Sequence, residues 1–325
     1  MISFRSRLFI ASLLALGISM PPAQAQLART FVSSFGNDAN DCNRSTPCRT
    51  FQGAHDKTFD QGEIAVLDTG GYGAVTITKS ISIVSEVGEA SILVSGGVTG
   101  ITINSGPAAY VSLRGLTIQG IGFGGGTGLV FNSAFALTIT NCVIRNHTGN
   151  GIVFQPNIDG QMSLTVSNTL VADNGQNGIR VRPTAPMNVG SIITANFRHV
   201  LALNNSLHGI VLDGSVSPAA IVSTVVDSEA ANNGQVGFTA INVANSVVRM
   251  MLIRCVAVSN NTGISSQNPS PVAVGPIVRV GQSIVTGNVT SWTTSSNAFL
   301  DSYGDNNIDG NFDGDPAPAV IIAKK

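Results

Sequence analysis

Two arginines and an aspartate at repeat-related positions are the residues of this sequence best placed to do chemistry. Gln155, Arg182 and Asp213 each lie four residues after an equivalent glycine, and Arg180 precedes Arg182 by two residues. Because a guanidinium holds a carboxylate through paired hydrogen bonds, Arg180 and Arg182 could bind the carboxylate of an acidic sugar while Asp213 sets its orientation. The alternative is an ion pair on the surface of a sheet, which contributes little to stability.

A second pair, His199 and Asp227, shares a repeat position with Asn141 and Asn168. A neighbouring imidazole and carboxylate can exchange a proton and could do acid–base work. The same position in a repeat also suits a structural hydrogen bond, so both interpretations stay open.

The segment DSYGDNNIDGNFDGDPAPAV contains the pattern D-x-N-x-D-G twice, and its candidate metal ligands are Asp305, Asn307, Asp309, Asn311 and Asp313. Closely spaced carboxylate and amide oxygens suit Ca²⁺. The glutamate expected at the twelfth place is missing and no helical pattern flanks the segment, which excludes an EF-hand. We predict either a simple Ca²⁺ site or a polar turn that closes the fold, and no other cofactor is indicated.

These candidates are positioned by one short pattern that is repeated six times between Leu137 and Asn288. Each copy has a polar residue, an alternating apolar run, an Asn-rich pair, and then a glycine followed by an apolar residue. Aligning the copies predicts one column of stacked asparagines, which follows His147 and consists of Asn174, Asn205, Asn233, Asn261 and Asn288. Intervals of 27 to 31 residues between short runs predict stacked coils with an asparagine ladder at one corner.

Strands rather than helices form these coils, because the apolar residues alternate with a period of two. Ile179 and Val181, for example, alternate with Arg180 and Arg182, and the runs are short and rich in β-branched residues. An evenly spaced β-sandwich is the alternative. We predict an all-β chain with one solenoid, divided into a signal peptide at 1–25, an N-terminal cap with a short helix at 26–62, the solenoid at 63–300, and a C-terminal polar cap segment at 301–325.

The N-terminus predicts export. Arg5 and Arg7 precede an apolar run at Leu8–Ile18, and small residues at Ala23–Ala25 form a cleavage site near Ala25. We therefore expect a secreted or periplasmic protein, with no later stretch long enough to span a membrane. The formal net charge is −1, which provides no electrostatic footprint for nucleic acid.

Export makes the four cysteines interpretable. Cys42 and Cys48 lie close together in a turn-rich segment, and an oxidising compartment favours a disulfide between them. Cys142 and Cys255 are predicted to lie four coils apart, roughly 19 Å at the spacing of neighbouring strands, so they cannot be bridged. We expect both to be buried thiols that act as small apolar residues.

The stretch GYGAVTITKSISIVSE and the N-N-x-x-x-G-I repeats resemble the right-handed parallel β-helix, or pectin-lyase-like, superfamily. PCRTFQGA resembles the N-terminal cap of its secreted bacterial members, and the resemblance covers about Thr30 to Leu300. It implies an all-β, right-handed parallel β-helix solenoid. The superfamily includes polysaccharide lyases, polygalacturonases, pectin esterases, uronan epimerases, phage tailspikes and adhesin passengers, so the fold does not choose the function.

The sequence departs from the enzymes of that superfamily. It contains no D-D dipeptide and no D-P-H-E, and its nearest match to the histidine motif of polygalacturonases is LHG at Leu207–Gly209. Our first hypothesis is therefore a non-catalytic monomer that binds or organises polysaccharide or cell-envelope glycan. The second is a lyase-like enzyme acting on acidic polysaccharide through Arg180, Arg182 and Asp213. A flat face of Ser, Thr and Asn would favour the first, and a groove with clustered charge on the Arg182 face the second.

Overall fold

The computed structural model of this protein describes residues 27–120, 124–184, 187–243, 246–270, 274–318 and 320–324. The predicted signal peptide lies outside the described residues. The described residues form a right-handed parallel β-solenoid of about ten turns with one short helix, which confirms the predicted fold class. No helix among them is long and apolar enough to cross a membrane.

Three faces of parallel strands, called sheets 1, 2 and 3 here, run along the solenoid. Sheet 1 comprises β1 (Leu27–Val32), β2 (Thr58–Val66), β5 (Ile81–Val84), β8 (Tyr110–Arg114), β11 (Ala136–Thr140), the first parts of β14 (Gln161–Ala172) and β16 (Ile192–Leu203), β18 (Ala220–Val226), β21 (Val248–Ile253), β24 (Ile277–Gly281), β27 (Phe299–Ser302) and β29 (Val320–Ile321). Sheet 2 comprises β3 (Gly70–Gly71), β6 (Ala90–Val94), β9 (Leu116–Gly120), β12 (Val143–Arg145), the second parts of β14 and β16, β19 (Glu229–Ala231), β22 (Val256–Val258), β25 (Ile284–Thr286) and β28 (Asn307–Ile308). Sheet 3 comprises β4 (Val75–Ile77), β7 (Ile101–Asn104), β10 (Leu129–Ser133), β13 (Ile152–Phe154), β15 (Ile179–Val181), β17 (Ile210–Gly214), β20 (Val236–Asn242), β23 (Thr262–Gln267) and β26 (Thr290–Thr294).

The corner between sheets 1 and 2 is a single residue with left-handed backbone in each of six successive coils. The residues at this corner are Asn141, Asn168, His199, Asp227, Arg254 and Gln282, with φ between 47° and 54°. Strands β14 and β16 pass through it without losing their pairing, so sheets 1 and 2 form one hydrogen-bonded sheet of 20 strands, while sheet 3 has nine. One left-handed residue is enough to redirect the chain between two strands.

The core lies inside the coil, where alternate side chains of every sheet stack on those of the next turn. Phe131 and Phe154 are fully buried, and their rings stack with centroids 4.0 Å apart. Cys142 and Cys255 are buried free thiols, as predicted. Burial raises the pKa of each thiol to about 11, so neither is a thiolate at neutral pH.

The N-terminal end is covered by α1 (Phe51–Lys57), whose first turn is capped by the Thr50 hydroxyl accepting from the Gly53 N–H at 2.9 Å. The helix residues Phe51 and Ala54 are fully buried against the end of the solenoid. Phe59, just after the helix, belongs to β2 and is 56% exposed. The predicted disulfide between Cys42 and Cys48 is present in this cap.

A buried asparagine ladder forms the corner between sheets 2 and 3. Its rungs are Asn174, Asn205, Asn233, Asn260, Asn288 and Asn311, with amide nitrogen to amide oxygen distances of 2.9–3.1 Å between successive rungs. Each Oδ1 also accepts the backbone N–H of the preceding rung, and from Asn205 onward each Nδ2 donates to a backbone carbonyl of the preceding coil. The ladder therefore satisfies buried backbone groups that a turn would otherwise leave unpaired.

The predicted ladder residue Asn261 is wrong. It is exposed, and the adjacent Asn260, which is 2% exposed, is the rung. Every rung follows a residue with left-handed backbone, and in this coil that residue is Ser259. The corner from Asn260 to Gly263 is one residue shorter than those before it, so counting back from the glycine gave the wrong asparagine.

The coils at both ends are shorter than the repeat. Ile64 pairs with Ile83, and Val280 pairs with Ser302, so these turns take 19 and 22 residues. Both turns are shorter than the intervals of 27 to 31 residues that separate the repeated copies. Strand β28 and the rung Asn311 continue the solenoid past Leu300, into the segment assigned to a polar cap.

Candidate functional site

The predicted residues Arg180, Arg182 and Asp213 meet on the outer surface of sheet 3. Strand register places Arg180 beside Val211 and Val181 beside Leu212. Arg182, the next residue after β15, therefore lies beside Asp213 of β17. Arg180 donates from Nη2 and Nε to Asp213 Oδ2 at 2.5 and 3.1 Å. Arg182 Nε lies 3.3 Å from the same oxygen as an ion pair but without hydrogen-bond geometry. Arg182 thus lies beside Asp213, as its repeat position predicts, but Arg180 is the residue that makes the hydrogen bonds.

Asp213 is the buried member of this group. Its side chain is 6% exposed, whereas those of Arg180 and Arg182 are 29% and 33% exposed. Burial pushes the pKa of Asp213 upward, but hydrogen bonds from Ser215 and Arg180 outweigh that effect, so the pKa lies below its usual value. Two guanidinium charges thus face one carboxylate.

His208 lies two residues before β17, near enough to Arg180 and Asp213 for their charges to act on it. The residue is half-buried, and its Nδ1 is buried without a hydrogen-bond partner. Burial, together with the charge of Arg180, lowers the pKa of His208 to about 4 against the opposing effect of Asp213, so the ring is neutral at pH 7. The sequence signal for the burial of His208 is its alignment with two asparagines of the preceding coils. His208 follows Asn150 and Asn177 in a second, shorter amide ladder, in which the backbone N–H of His208 donates to Asn177 Oδ1 at 3.3 Å.

A line of side-chain amides leads along sheet 3 to the cluster. Asn132 donates to Asn104 at 2.7 Å, and Gln155 donates from Nε2 to Asn132 Oδ1 at 2.9 Å. Gln155 lies beside Arg182 in the strand register, because Phe154 pairs with Val181. The amides end where the charged cluster begins.

His199 and Asp227 lie on the exposed corner between sheets 1 and 2. Their nearest polar atoms are 3.8 Å apart, and Asp227 makes its short contacts with Arg254 instead, at 2.6 and 3.0 Å. The side chain of His199 is 52% exposed. This geometry is that of a surface ion pair rather than of a buried acid–base pair.

The five candidate metal ligands of the C-terminal segment do not converge. Asp305 pairs with Lys324 at 2.6 Å, Asn311 is the last ladder rung, and Asp313 accepts from Ser291 at 2.8 Å. Asn307 begins strand β28, two residues before Asp309. Across residues 27–324, apart from the stretches outside the description, no three Asp, Glu, His or Cys side chains form a group that could hold a metal. Within this segment, β28 and the rung Asn311 continue the solenoid.

The outer surface of sheet 1 carries a regular row of small polar side chains that the sequence analysis did not assign. Pairwise register places Ser82, Ser112, Thr138, Thr165, Asn196 and Thr224 side by side on six successive strands. Their spacing of about 4.8 Å makes a row roughly 24 Å long. All six are partly or fully exposed, and none of their side chains makes a hydrogen bond within the part of the chain that the structure describes.

We call these six side chains the hydroxyl row, because all of them except Asn196 carry a hydroxyl. Two shallow depressions lie along this row. One, of about 570 Å³, is lined by Ser82, Tyr110, Ser112 and Thr138. The other, of about 380 Å³, is lined by Thr165, Asn196, Arg198 and Thr224. Tyr110 is 60% exposed and packs against Phe135 with ring centroids 5.1 Å apart, which places an aromatic surface beside the first depression.

Comparison with known proteins agrees with this architecture. The family described as "Right handed beta helix region" matches residues 62–222. The structure is similar to pectate lyase Pel9A, with a TM-score of 0.59 and 18% identity over 86% of this chain and 75% of that one. A pectin methylesterase from Aspergillus niger matches with a TM-score of 0.40 and 12% identity over 94% of this chain and 92% of that one. No curated protein matches the chain in sequence.

Proposed function

We propose that this chain, which has the right-handed parallel β-helix fold, binds a polysaccharide along the outer surface of sheet 1 without cleaving it. The observation that carries the proposal is the hydroxyl row, with its repeated, unpartnered donors and acceptors. A polysaccharide also repeats its hydroxyl groups along one direction. Two repeating arrays can form several equivalent hydrogen bonds, although each contributes only about 0.5–1.5 kcal/mol.

Tyr110 and the depression beside it fit the same ligand. The hydroxyls supply directional contacts, while an exposed aromatic ring presents an apolar surface to the C–H groups of a sugar ring. A mainly flat, uncharged row is what the non-catalytic hypothesis required of a binding face. At the edge of this face Arg254 pairs with Asp227.

We extend the proposal to location. The disulfide between Cys42 and Cys48 supports an oxidising compartment, and the apolar run at Leu8–Ile18 supports export, so we propose a secreted or periplasmic protein that acts as a monomer. Polysaccharide or cell-envelope glycan is the partner that the face and this location favour together.

The double variant Thr138→Val/Thr165→Val tests the binding face. Valine keeps the shape of threonine and the strand preference, but it removes two neighbouring hydroxyls from the row. We expect the affinity for the best-bound polysaccharide of a neutral and acidic panel, measured by isothermal titration calorimetry, to fall about fivefold or more. Thr117→Val, on the outer surface of sheet 2, is the matched control and should bind like the parent. Unchanged affinity in the double variant would show that this face is not the binding site.

The runner-up function, a lyase-like enzyme for acidic polysaccharide, is favoured by one observation. Arg180, Arg182 and Asp213 cluster on the outer surface of sheet 3, where arginine can bind the carboxylate of an acidic sugar. Ca²⁺-dependent release of unsaturated uronide that is lost in Arg182→Ala would establish this function in place of non-catalytic binding.

A further inference from the structure

The outer surface of sheet 1 changes character where the hydroxyl row ends. Thr224 is the last member of the row, and the residue beside it on the next strand, β21, is Met251. At the end of the same two strands, Val226 lies beside Ile253. Both side chains of β21 are partly exposed, so two apolar groups face outward directly after six polar ones.

A cavity opens over these two side chains. It has a volume of about 780 Å³, and Met251 and Ile253 of β21 line one part of it. Tyr303, which follows β27, and Ile322, which follows β29, line the part nearer the C-terminal end of the solenoid. This size and this largely apolar lining are typical of sites that bind small organic groups. We call it the end cavity.

The cationic side chains that line the end cavity already have carboxylate partners. Arg279 Nε lies 3.3 Å from Asp301 Oδ2, and Lys324 Nζ lies 2.6 Å from Asp305 Oδ2. A charged ligand would have to compete with these pairs and would lose its hydration against the apolar lining. The cavity is therefore better suited to an uncharged group.

We propose that the end cavity binds an uncharged apolar group, an acyl chain or an aromatic ring, that is attached to the polysaccharide on the hydroxyl row. Met251 is only one strand, about 4.8 Å, beyond Thr224, so one ligand can contact the row and the cavity together. A methionine side chain adapts its shape to either kind of apolar group. The inference rests on the proposed function and deepens it, because it names a glycan that carries an apolar substituent as the ligand.

Three glucosides that differ only in the group attached to the sugar test the proposal, namely octyl, phenyl and methyl β-D-glucopyranoside. Each is titrated into the mature chain by calorimetry, with the octyl glucoside kept below its micelle-forming concentration. We expect the octyl or the phenyl compound to bind about tenfold or more tightly than the methyl compound, and to shift the methyl resonance of Met251 in ¹³C NMR. The tighter of the two identifies the group as aliphatic or aromatic. Binding of both no better than the methyl compound would overturn the proposal.

A double variant places the binding in the cavity. Met251→Gln/Ile253→Thr keeps the approximate size and strand preference of both residues but removes apolar contact surface, so we expect the better of the two glucosides to bind about tenfold more weakly. Leu201→Gln/Ile284→Thr is the matched control, because these two residues are each 41% exposed on the outer surface of sheet 2. An equal loss of affinity in both double variants would contradict the assignment.

The two parts of the binding face fail independently. The Thr138→Val/Thr165→Val protein should bind the apolar glucoside like the parent, since the end cavity is intact. The Met251→Gln/Ile253→Thr protein should keep its affinity for an unsubstituted polysaccharide. Loss of polysaccharide affinity in the first variant, with unchanged glucoside binding in the second, would support the hydroxyl row and overturn the end cavity.

Discussion

Replacing Asn260 with alanine is expected to lower the free energy of unfolding by about 4 kcal/mol, because several buried groups lose their partners at a cost of roughly 1–3 kcal/mol each. Asn260 Oδ1 accepts the backbone N–H and the Nδ2 of Asn233, both at 2.9 Å. Its Nδ2 donates to the Ala230 carbonyl at 2.9 Å and to Asn288 Oδ1 at 3.1 Å. Alanine replaces none of these contacts, and the corner excludes the water that could.

The neighbouring residue provides the control. Asn261→Ala removes an exposed amide that makes no side-chain hydrogen bond within the described residues, so a change below about 0.5 kcal/mol is expected. Urea unfolding followed by circular dichroism compares the two variants, and hydrogen exchange at the Asn233 amide reports the local opening. A larger loss for Asn261→Ala than for Asn260→Ala would mean that the ladder register described here is incorrect.

Replacing Gly209 with alanine is expected to cost about 3 kcal/mol, at the upper end of the range for overpacking. A Cβ at this position would lie 2.6 Å from the Gly237 carbonyl oxygen and 2.9 Å from Asn233 Nδ2. Both neighbours belong to the next coil, and the carbonyl oxygen is backbone, so relief requires the coils to separate. The added methyl group therefore disturbs the strand pairing and the ladder together.

Gly106→Ala is the matched substitution, because no atom lies within 4 Å of the Cβ built at Gly106 and its backbone is not left-handed. The same change of residue should leave the unfolding midpoint of this variant nearly unchanged. Thermal and urea unfolding of both proteins measure the difference. If the two alanines proved equally tolerated, close contact between coils could not be the reason for the glycine column, which consists of Gly100, Gly128, Gly151, Gly178, Gly209, Gly237 and Gly263.

Periodicity was the part of this fold most open to prediction. Repeated strands, their corners and the stacked asparagines follow from residue spacing alone, because each coil must pair with the next in the same register. The glycine column from Gly100 to Gly263 also stands, since each of these glycines lies close to the carbonyl oxygen of the next coil. Gly73 does not belong to it, because its φ of 73° marks a left-handed turn with open space beside it.

The features missed from the sequence depend on local backbone and on register between distant residues. Asn261 was chosen over Asn260 because sequence spacing does not show which residue is left-handed. The burial of His208 depends on Arg180 and the second amide ladder, which come from the preceding coil. Recognising the hydroxyl row requires knowing which residue of every strand in sheet 1 faces outward. The sequence signal for the row was the recurrence of Ser and Thr at alternate positions in β11 and the first part of β14.

The most direct test of the central claim is the length of the polysaccharide recovered after it has bound to the purified protein. We would incubate the mature chain with the best ligand of the panel, with Ca²⁺ and with chelator, and analyse the eluted saccharide by size and by absorbance of unsaturated ends. The account predicts that the protein retains the polysaccharide and that the recovered chains keep their original length. Shortened or unsaturated products would show that the protein is an enzyme, and failure to retain any polysaccharide would contradict the assignment of a glycan-binding face.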